Sequence, residues 1–434
     1  MLAQGVILAR VLGVDGRGGL AAIVLWPNII ANIGLLGTRM SITRAAAATH
    51  DDIDPVTRAG ILLSLIFSMI SVVAGLALLP LLMPETSSDI MGLARTFMVL
   101  FVPASILSAI LAAVDHGQGR FRRLNFFRLL QSPLFVLFLV VLIVLGRANL
   151  TYCIWASIAA FWATALGRFA LLTRQLPLVG SMASLPRLIR EGFPYAITGI
   201  IAQFTHRGDR ILLLWLLTER DLGLYAVAFS AASVLAVVTR SMGFVSLAIA
   251  AQERAREGFD RIAQIFRGAT IISVGMGIVM IAAVYLLLPV VYGREFTDAR
   301  IISVVLAVGF IPYGQILLLS QIMGGQGKPM AGMISRIVGM GVMVLVAFTC
   351  SRSLGAIGVA LGFLAAQAIG LCGLVMFVLR HYNSASLSGM VPTVQDAKLI
   401  SRRLKQEAVV GLTKIRIILP STTRNAYNSD NNAE

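Results

Sequence analysis

The chain has 434 residues, of which 58% are hydrophobic and 13% charged, with 36 Lys and Arg against 20 Asp and Glu for a formal charge of +16. That composition excludes a soluble domain and describes a polytopic membrane protein. The basic residues are spread over many short connections rather than gathered on one face, which argues against nucleic acid as a partner and makes membrane topology the source of the charge.

Residues 1–13 are apolar but, at roughly 20 Å as a helix, too short to cross a ~30 Å hydrocarbon core alone. They lack the basic start and small-residue cleavage site of a signal peptide, and read either as a truncated first helix or as one lying short in the bilayer. Further apolar runs follow at 18–37, 60–83, 92–114, 126–145, 150–172, 192–217, 222–250, 269–291, 301–323, 331–350 and 354–379. With the first segment they make twelve expected spans. They divide the chain into a first lobe at 1–173, a connection at 174–191, a second lobe at 192–380 and a basic polar tail at 381–434.

Alternate connections differ in charge. One set holds fifteen basic residues, including Arg39, Arg44, Arg120 and Lys328; the other holds six, Arg17, Arg147, Arg220, Arg294, Arg300 and Arg352. The richer set is expected to be cytoplasmic, with both termini inside. No connection is long enough to hold a catalytic domain. In the tail, residues 397–419 alternate Lys and Arg with Leu, Ile and Val as a basic amphipathic surface segment would, and 421–434 are polar and expected to be disordered.

The two halves echo each other. Phe101-Val102-Pro103 leads into Gly117-Gln118-Gly119-Arg120 at the end of the fourth span, and Phe310-Ile311-Pro312 leads into Gly325-Gln326-Gly327-Lys328 at the end of the tenth. A second pair, Gly19-Leu20-Ala21-Ala22 and Gly223-Leu224-Tyr225-Ala226, opens the second and eighth spans. Duplication of an even, six-helix unit gives parallel repeats about an axis along the membrane normal, and a transporter keeps its site where such repeats meet.

The seventh span carries a knot of charge, His206-Arg207-Gly208-Asp209-Arg210, inside an apolar run of roughly 39 Å. Ionisable groups at membrane depth persist where they face a bundle interior or a wet path. On a helical wheel with Gln203 at zero, His206 falls at about −60°, Arg207 at about +40° and Arg210 at about −20°, one face, while Asp209 lies on its flank at about −120°. The alternative is a helix that ends at His206 and leaves the cluster among headgroups.

No nucleophile, nucleotide or metal signature accompanies this cluster. There is no Walker A loop and no HExxH, and Cys153, Cys350 and Cys372 have neither metal-ligand nor CxxC spacing. The expectation is therefore no catalytic residue, no metal and no cofactor, and secondary transport driven by a gradient. Arg207 and Arg210, joined by Arg240 in the eighth span and by Arg39 at the end of the second, form a cationic cavity with Gln203. Arginine's fork of donors suits phosphate or carboxylate oxygens. Asp209 and His206 are candidates for ion coupling by proton or sodium. Gln315, Gln321 and Gln367 either line the second half of the cavity or bond helices together.

These motifs, together with Gly16-Arg17-Gly18-Gly19-Leu20-Ala21-Ala22 and Gly208-Asp209-Arg210 followed by Leu222-Gly223-Leu224-Tyr225-Ala226, resemble bacterial oligosaccharide flippases of the Wzx type, in the multidrug/oligosaccharidyl-lipid/polysaccharide exporter superfamily. The resemblance implies an all-α membrane fold of about twelve transmembrane helices in two six-helix lobes related by a parallel repeat. It implies movement of undecaprenyl-diphosphate-linked glycans across the bilayer for surface polysaccharide synthesis. It also maps the family's intramembrane Asp-Arg to Asp209 and Arg210. A glycan polymerase is a candidate partner, alongside membrane lipids. Two competing readings stay open: a multidrug/cation antiporter, which would want cavity carboxylates where this chain has almost none besides Asp209, and a flippase for lipid-linked peptidoglycan precursors. A membrane glycan polymerase would need catalytic groups in a sizeable loop.

Overall fold

The computed structural model describes residues 2–48, 53–83, 87–174, 181–236, 259–325, 328–382, 386–393 and 395–396, and within them the only regular structure is helical. The helices are α1 (Leu2–Gly34), α2 (Thr38–Ala48), α3 (Asp54–Leu82), α4 (Ser88–Gly117), α5 (Phe121–Val144), α6 (Leu150–Thr173), α7 (Leu185–Leu216), α8 (Glu219–Ala232), α9 (Phe259–Tyr292), α10 (Ala299–Gly325), α11 (Pro329–Leu354), α12 (Ala356–His381) and the single turn α13 (Leu387–Met390). Among the described residues eight helices are long and apolar enough to cross a membrane, or nine if the bent pair α1 and α2 counts as one span. The chain is a multi-pass membrane protein.

The first two expected spans are not separated by a loop. They run together in α1, broken only at Gly13, whose φ of +65° is left-handed. The Arg10 guanidinium donates to the Val290 and Val291 carbonyls, tying the first part of α1 to the last turn of α9, just after Pro289. Past Leu35–Gly37 the chain bends by 47° into α2. Residues 397–434, which include the expected amphipathic tail, lie outside the described residues.

The duplication is written in the packing. In the first half α4 packs against α1, α3 and α6; in the second, α10 packs against α8, α9 and α12 in the same relation, while α5 pairs with α6 as α11 pairs with α12. The two central helices are matched in burial: 56% of the apolar window is inside the protein for both α4 and α10, against 11% for α5 and 22% for α11. Pro103 and Pro312 sit inside these two helices, and the Gly-Gln-Gly motifs close them.

Two glycine crossings join the halves. α1 crosses α8 where a methyl at Gly18 would overlap the Glu219 carbonyl and one at Gly223 would overlap the Val14 carbonyl. α2 crosses α7 where a methyl at Gly37 would overlap the Gly192 carbonyl. Small residues let helix backbones approach this closely, so packing along the whole seam depends on them. The first crossing lies toward the α7–α8 turn, here termed the far end. The second lies toward the end that carries Arg120–Arg123 and Lys328, the basic end. Trp26 and Trp215 stack across the seam with centroids 6.2 Å apart.

Candidate functional site at the seam of the two halves

α7 runs unbroken through the charged cluster to Leu216, so the helix does not end at His206. What makes this affordable is the turn that follows. Thr218 accepts from the Asp221 backbone N–H and its hydroxyl donates to Asp221 Oδ2 at 2.7 Å, a capping box that starts α8 immediately. The tight hairpin sets Tyr225 opposite Asp209, and the Tyr225 hydroxyl donates to Asp209 Oδ2 at 2.9 Å. One turn further along α8, the Phe229 ring lies 4.4 Å from the Arg210 guanidinium, a cation–π contact. Asp209 is thus buried against α8, not presented on the flank of a cavity.

Arg17 joins this cluster from the other half. Read from sequence as a turn charge, it lies inside α1 within electrostatic reach of Arg210 and the Tyr292 hydroxyl, and its Nε is buried without a hydrogen-bond partner. Arg210 repels both Arg17 and Arg207, while Asp209 attracts Arg207. Arg17 and Arg210 thus face each other from the two halves, Arg207 lies one turn before Arg210 on α7, and the neighbouring carboxylate of Asp209 already accepts from a tyrosine. Such an excess of fixed donors in a low-dielectric setting fits an anion with several oxygens.

His206 faces elsewhere. Its Nε2 lies 3.5 Å from Arg336 Nη1 of α11, in a cavity of about 30 Å³ also lined by Thr205, Tyr313, Ser335 and Gln367. That is room for roughly one or two waters or a single small polar group. The face shared on the wheel therefore divides: Arg207 and Arg210 serve the seam, and His206 serves a pocket inside the second half. Gln203 is half-buried on α7. Arg39 is exposed at the start of α2, and its electrostatic neighbour is Arg128 of α5, so it does not join Arg207 and Arg210. Arg240 lies outside the described residues. Gln367 lines the second-half pocket, whereas Gln315 is buried and bonds to Ser273 Oγ at 3.4 Å, bridging α10 to α9.

Sequence reasoning also missed a buried carboxylate. Asp115, fully buried at the end of α4, accepts from Arg123 Nε at 2.6 Å and lies 3.8 Å from Arg168 Nε. Arg168 also donates to the Ser108 and Leu124 carbonyls and lies 5.2 Å from the Phe127 ring. This triad locks α4, α5 and α6 of the first half. Asp115 and Asp209 are the buried carboxylates among the described residues, each engaged by protein donors. Among the described residues no group of three or more His, Cys, Asp or Glu could hold a metal ion.

Residues 2–242, more than half of the chain, match the family model described as polysaccharide biosynthesis protein. The chain belongs to that family. No curated protein sequence matches it. Solved structures of membrane transporters share the fold of this chain. The inward-facing conformation of a multidrug resistance MATE family transporter of the MOP superfamily matches with a TM-score of 0.71 at 17% identity, covering 89% of this chain and 95% of that one. The lipid II flippase MurJ, in an inward closed conformation, matches with a TM-score of 0.72 at 14% identity over 95% and 90%. The outward-facing conformation of a MATE family transporter of the MOP superfamily matches with a TM-score of 0.55 at 13% identity over 87% and 95%. The chain is thus a helical membrane protein, among the described residues, with the fold shared by these solved structures.

Proposed function

We propose that the protein moves an undecaprenyl-diphosphate-linked oligosaccharide from the cytoplasmic to the periplasmic leaflet of a bacterial inner membrane, by alternating access, for surface polysaccharide synthesis. The observation that carries this reading is the seam cluster. Arg207 and Arg210 come from one half and Arg17 from the other, and the Asp209 carboxylate beside them is committed to Tyr225. A diphosphate offers oxygens to all three guanidiniums at once, and a cationic drug would be repelled by them. The family assignment supports a glycan cargo, and the fold supports a mobile seam.

In this mechanism the lipid tail stays in the bilayer, the diphosphate enters between the halves from the basic end, and rocking about the glycine crossings exposes it at the far end. The basic end is cytoplasmic because its turns hold the excess of Arg and Lys. Protonation or cation binding at Asp209 or His206 would couple release to a gradient. His206, beside Arg336, would contact cargo or proton outside the diphosphate cluster.

The test is a lipid extract from cells lacking the protein, analysed by mass spectrometry for polyprenyl-diphosphate-linked glycans, with restoration by wild type, Arg210→Glu and Arg17→Glu. One glycan should accumulate, be cleared by wild type and persist with either variant at normal protein level. No accumulation, with altered sensitivity to cationic drugs, would move the assignment to a multidrug/cation antiporter.

A further inference from the structure

A second cavity lies outside the seam, between α11 and α12, and the transport reading makes no use of it. It measures about 240 Å³, and Ile334, Val338, Ile369 and Met376 form its walls, each roughly half exposed on helices that cross the membrane. Its floor is Ser335 against Gly370, and the serine hydroxyl already donates to the Gly370 carbonyl at 2.5 Å. Among the lining residues the one charged group is Arg380, exposed at the end of α12. At the same end Lys328 Nζ contacts the His381 ring at 2.8 Å. No acidic residue lines the groove.

This arrangement is polar at one end and apolar along its length. A free anion would find a single guanidinium and a hydrocarbon wall; a neutral sugar would find no open donors along the groove. The ligand whose chemistry matches both parts is an amphiphile with an anionic head and a hydrocarbon chain. We infer that the α11–α12 groove seats one acyl chain of an anionic phospholipid from the leaflet at the basic end, with its phosphate against Arg380. The phospholipid is favoured over the isoprenoid tail of a transported lipid because α11 stands between this groove and the pocket of His206 and Arg336, and the groove opens on the exposed side of the helix pair. The site does not depend on what the seam transports. Its floor residue, Ser335, also lines the His206–Arg336 pocket, so the bound chain would bear on the wall of that pocket.

Gly373 supplies a clean test. It lines the groove, it is exposed, and a Cβ built on it meets nothing within 4 Å, so Gly373→Phe starts its side chain in open space at the groove. The purified full chain, stripped of lipid in detergent, is titrated with phosphatidylglycerol or phosphatidylcholine of identical chains. Retained lipid is counted by native mass spectrometry and thermal unfolding is followed in parallel. Wild type should retain phosphatidylglycerol about fivefold better than phosphatidylcholine, the worth of one basic side chain at an anionic headgroup. Arg380→Gln should erase that preference while keeping one bound lipid, and Gly373→Phe should lose the bound lipid. Equal retention of the two lipids by wild type, or wild-type retention by Gly373→Phe, would overturn the assignment. Displacement of phosphatidylglycerol by an equimolar polyprenyl phosphate would overturn it too, in favour of an isoprenoid seat.

Discussion

Tyr225 Oη donates to Asp209 Oδ2 at 2.9 Å, and the two side chains are 0% and 3% exposed. This bond holds the carboxylate of the seventh span on α8, away from the guanidiniums that flank it in sequence. Tyr225→Phe removes the donor and leaves a buried carboxylate short of a partner, which costs about 1–3 kcal/mol. The expected outcome is a lower unfolding midpoint in detergent. Combined with Asp209→Asn, the loss should be smaller than the sum of the two single losses, because the pair is coupled.

The seam cluster opposes stability and binding. Arg17 lies within electrostatic reach of Arg210, and its buried Nε has no hydrogen-bond partner, so Arg17→Gln should leave the empty protein as stable as wild type or more so. On the proposed function, the same change removes charge-assisted hydrogen bonds to the diphosphate, each worth about 1.5–3 kcal/mol, or roughly tenfold or more in affinity. Isothermal titration with a short-chain prenyl diphosphate measures the fall in affinity, and a thermal scan without ligand checks the expected lack of destabilisation.

The lock in the first half behaves in the opposite way. Asp115 is fully buried between two arginines, and removing it strands Arg168, which is 3% exposed. Asp115→Ala should cost about 3–5 kcal/mol, as breaking a buried ion pair does. Arg123→Ala should cost less, since Arg123 is 21% exposed and Arg168 remains beside the carboxylate. Chemical denaturation of the purified protein ranks the two.

Crowding at Gly18 should part α1 from α8. A valine there would overlap the Glu219 carbonyl, so the helices must separate at the far end. In a chain lacking Cys153, Cys350 and Cys372, a cysteine replacing Val14, which is 3% exposed at the same crossing, should react slowly with a bulky thiol reagent. Adding Gly18→Val should speed that reaction.

The segment that ends at Asp396 docks on α9 through charge. Asp396 accepts from Thr393 Oγ1 at 2.6 Å and from its backbone N–H at 2.9 Å, and Arg267 Nε lies 2.9 Å away. These hydrogen bonds, with Arg267 second, hold the carboxyl below its usual range. A depressed folded value means the contribution is present above the free carboxyl's pKa of about 3.9 and is lost as pH falls through the lower, folded one. Protection of residues 387–393 from hydrogen exchange should therefore be flat near neutrality and fall in acid, and Asp396→Asn should weaken it at every pH.

The elements were legible where the signal is local. Pro103 and Pro312, each followed by its Gly-Gln-Gly turn, marked two equivalent helices, and these proved to be the matched central helices of the halves. Arg17 was not legible, because Gly16, Gly18 and Gly19 around it read as a turn, whereas in the fold they lie inside α1 and Gly18 admits α8. Arg336 was hidden by the hydropathy of its own helix. The partner of Asp115, Arg168, lies 53 positions away in a different helix, and no spacing rule reaches that far. The wheel placed Arg207 and Arg210 with His206, but α7 has neighbours on several sides, and the pocket beside α11 claims the histidine.

The 47° bend between α1 and α2 has a mechanical consequence. A straight helix touching α8 at one end and α7 at the other would be a rigid bar, and releasing either contact would lever against the other. Broken at Leu36 and Gly37, both with positive φ, the bar becomes two jointed pieces, and one bolt can be drawn while the second stays home. A carrier built in this way can pass a bulky cargo without ever standing open from end to end, and the ion gradients that the membrane stores are kept from leaking through it.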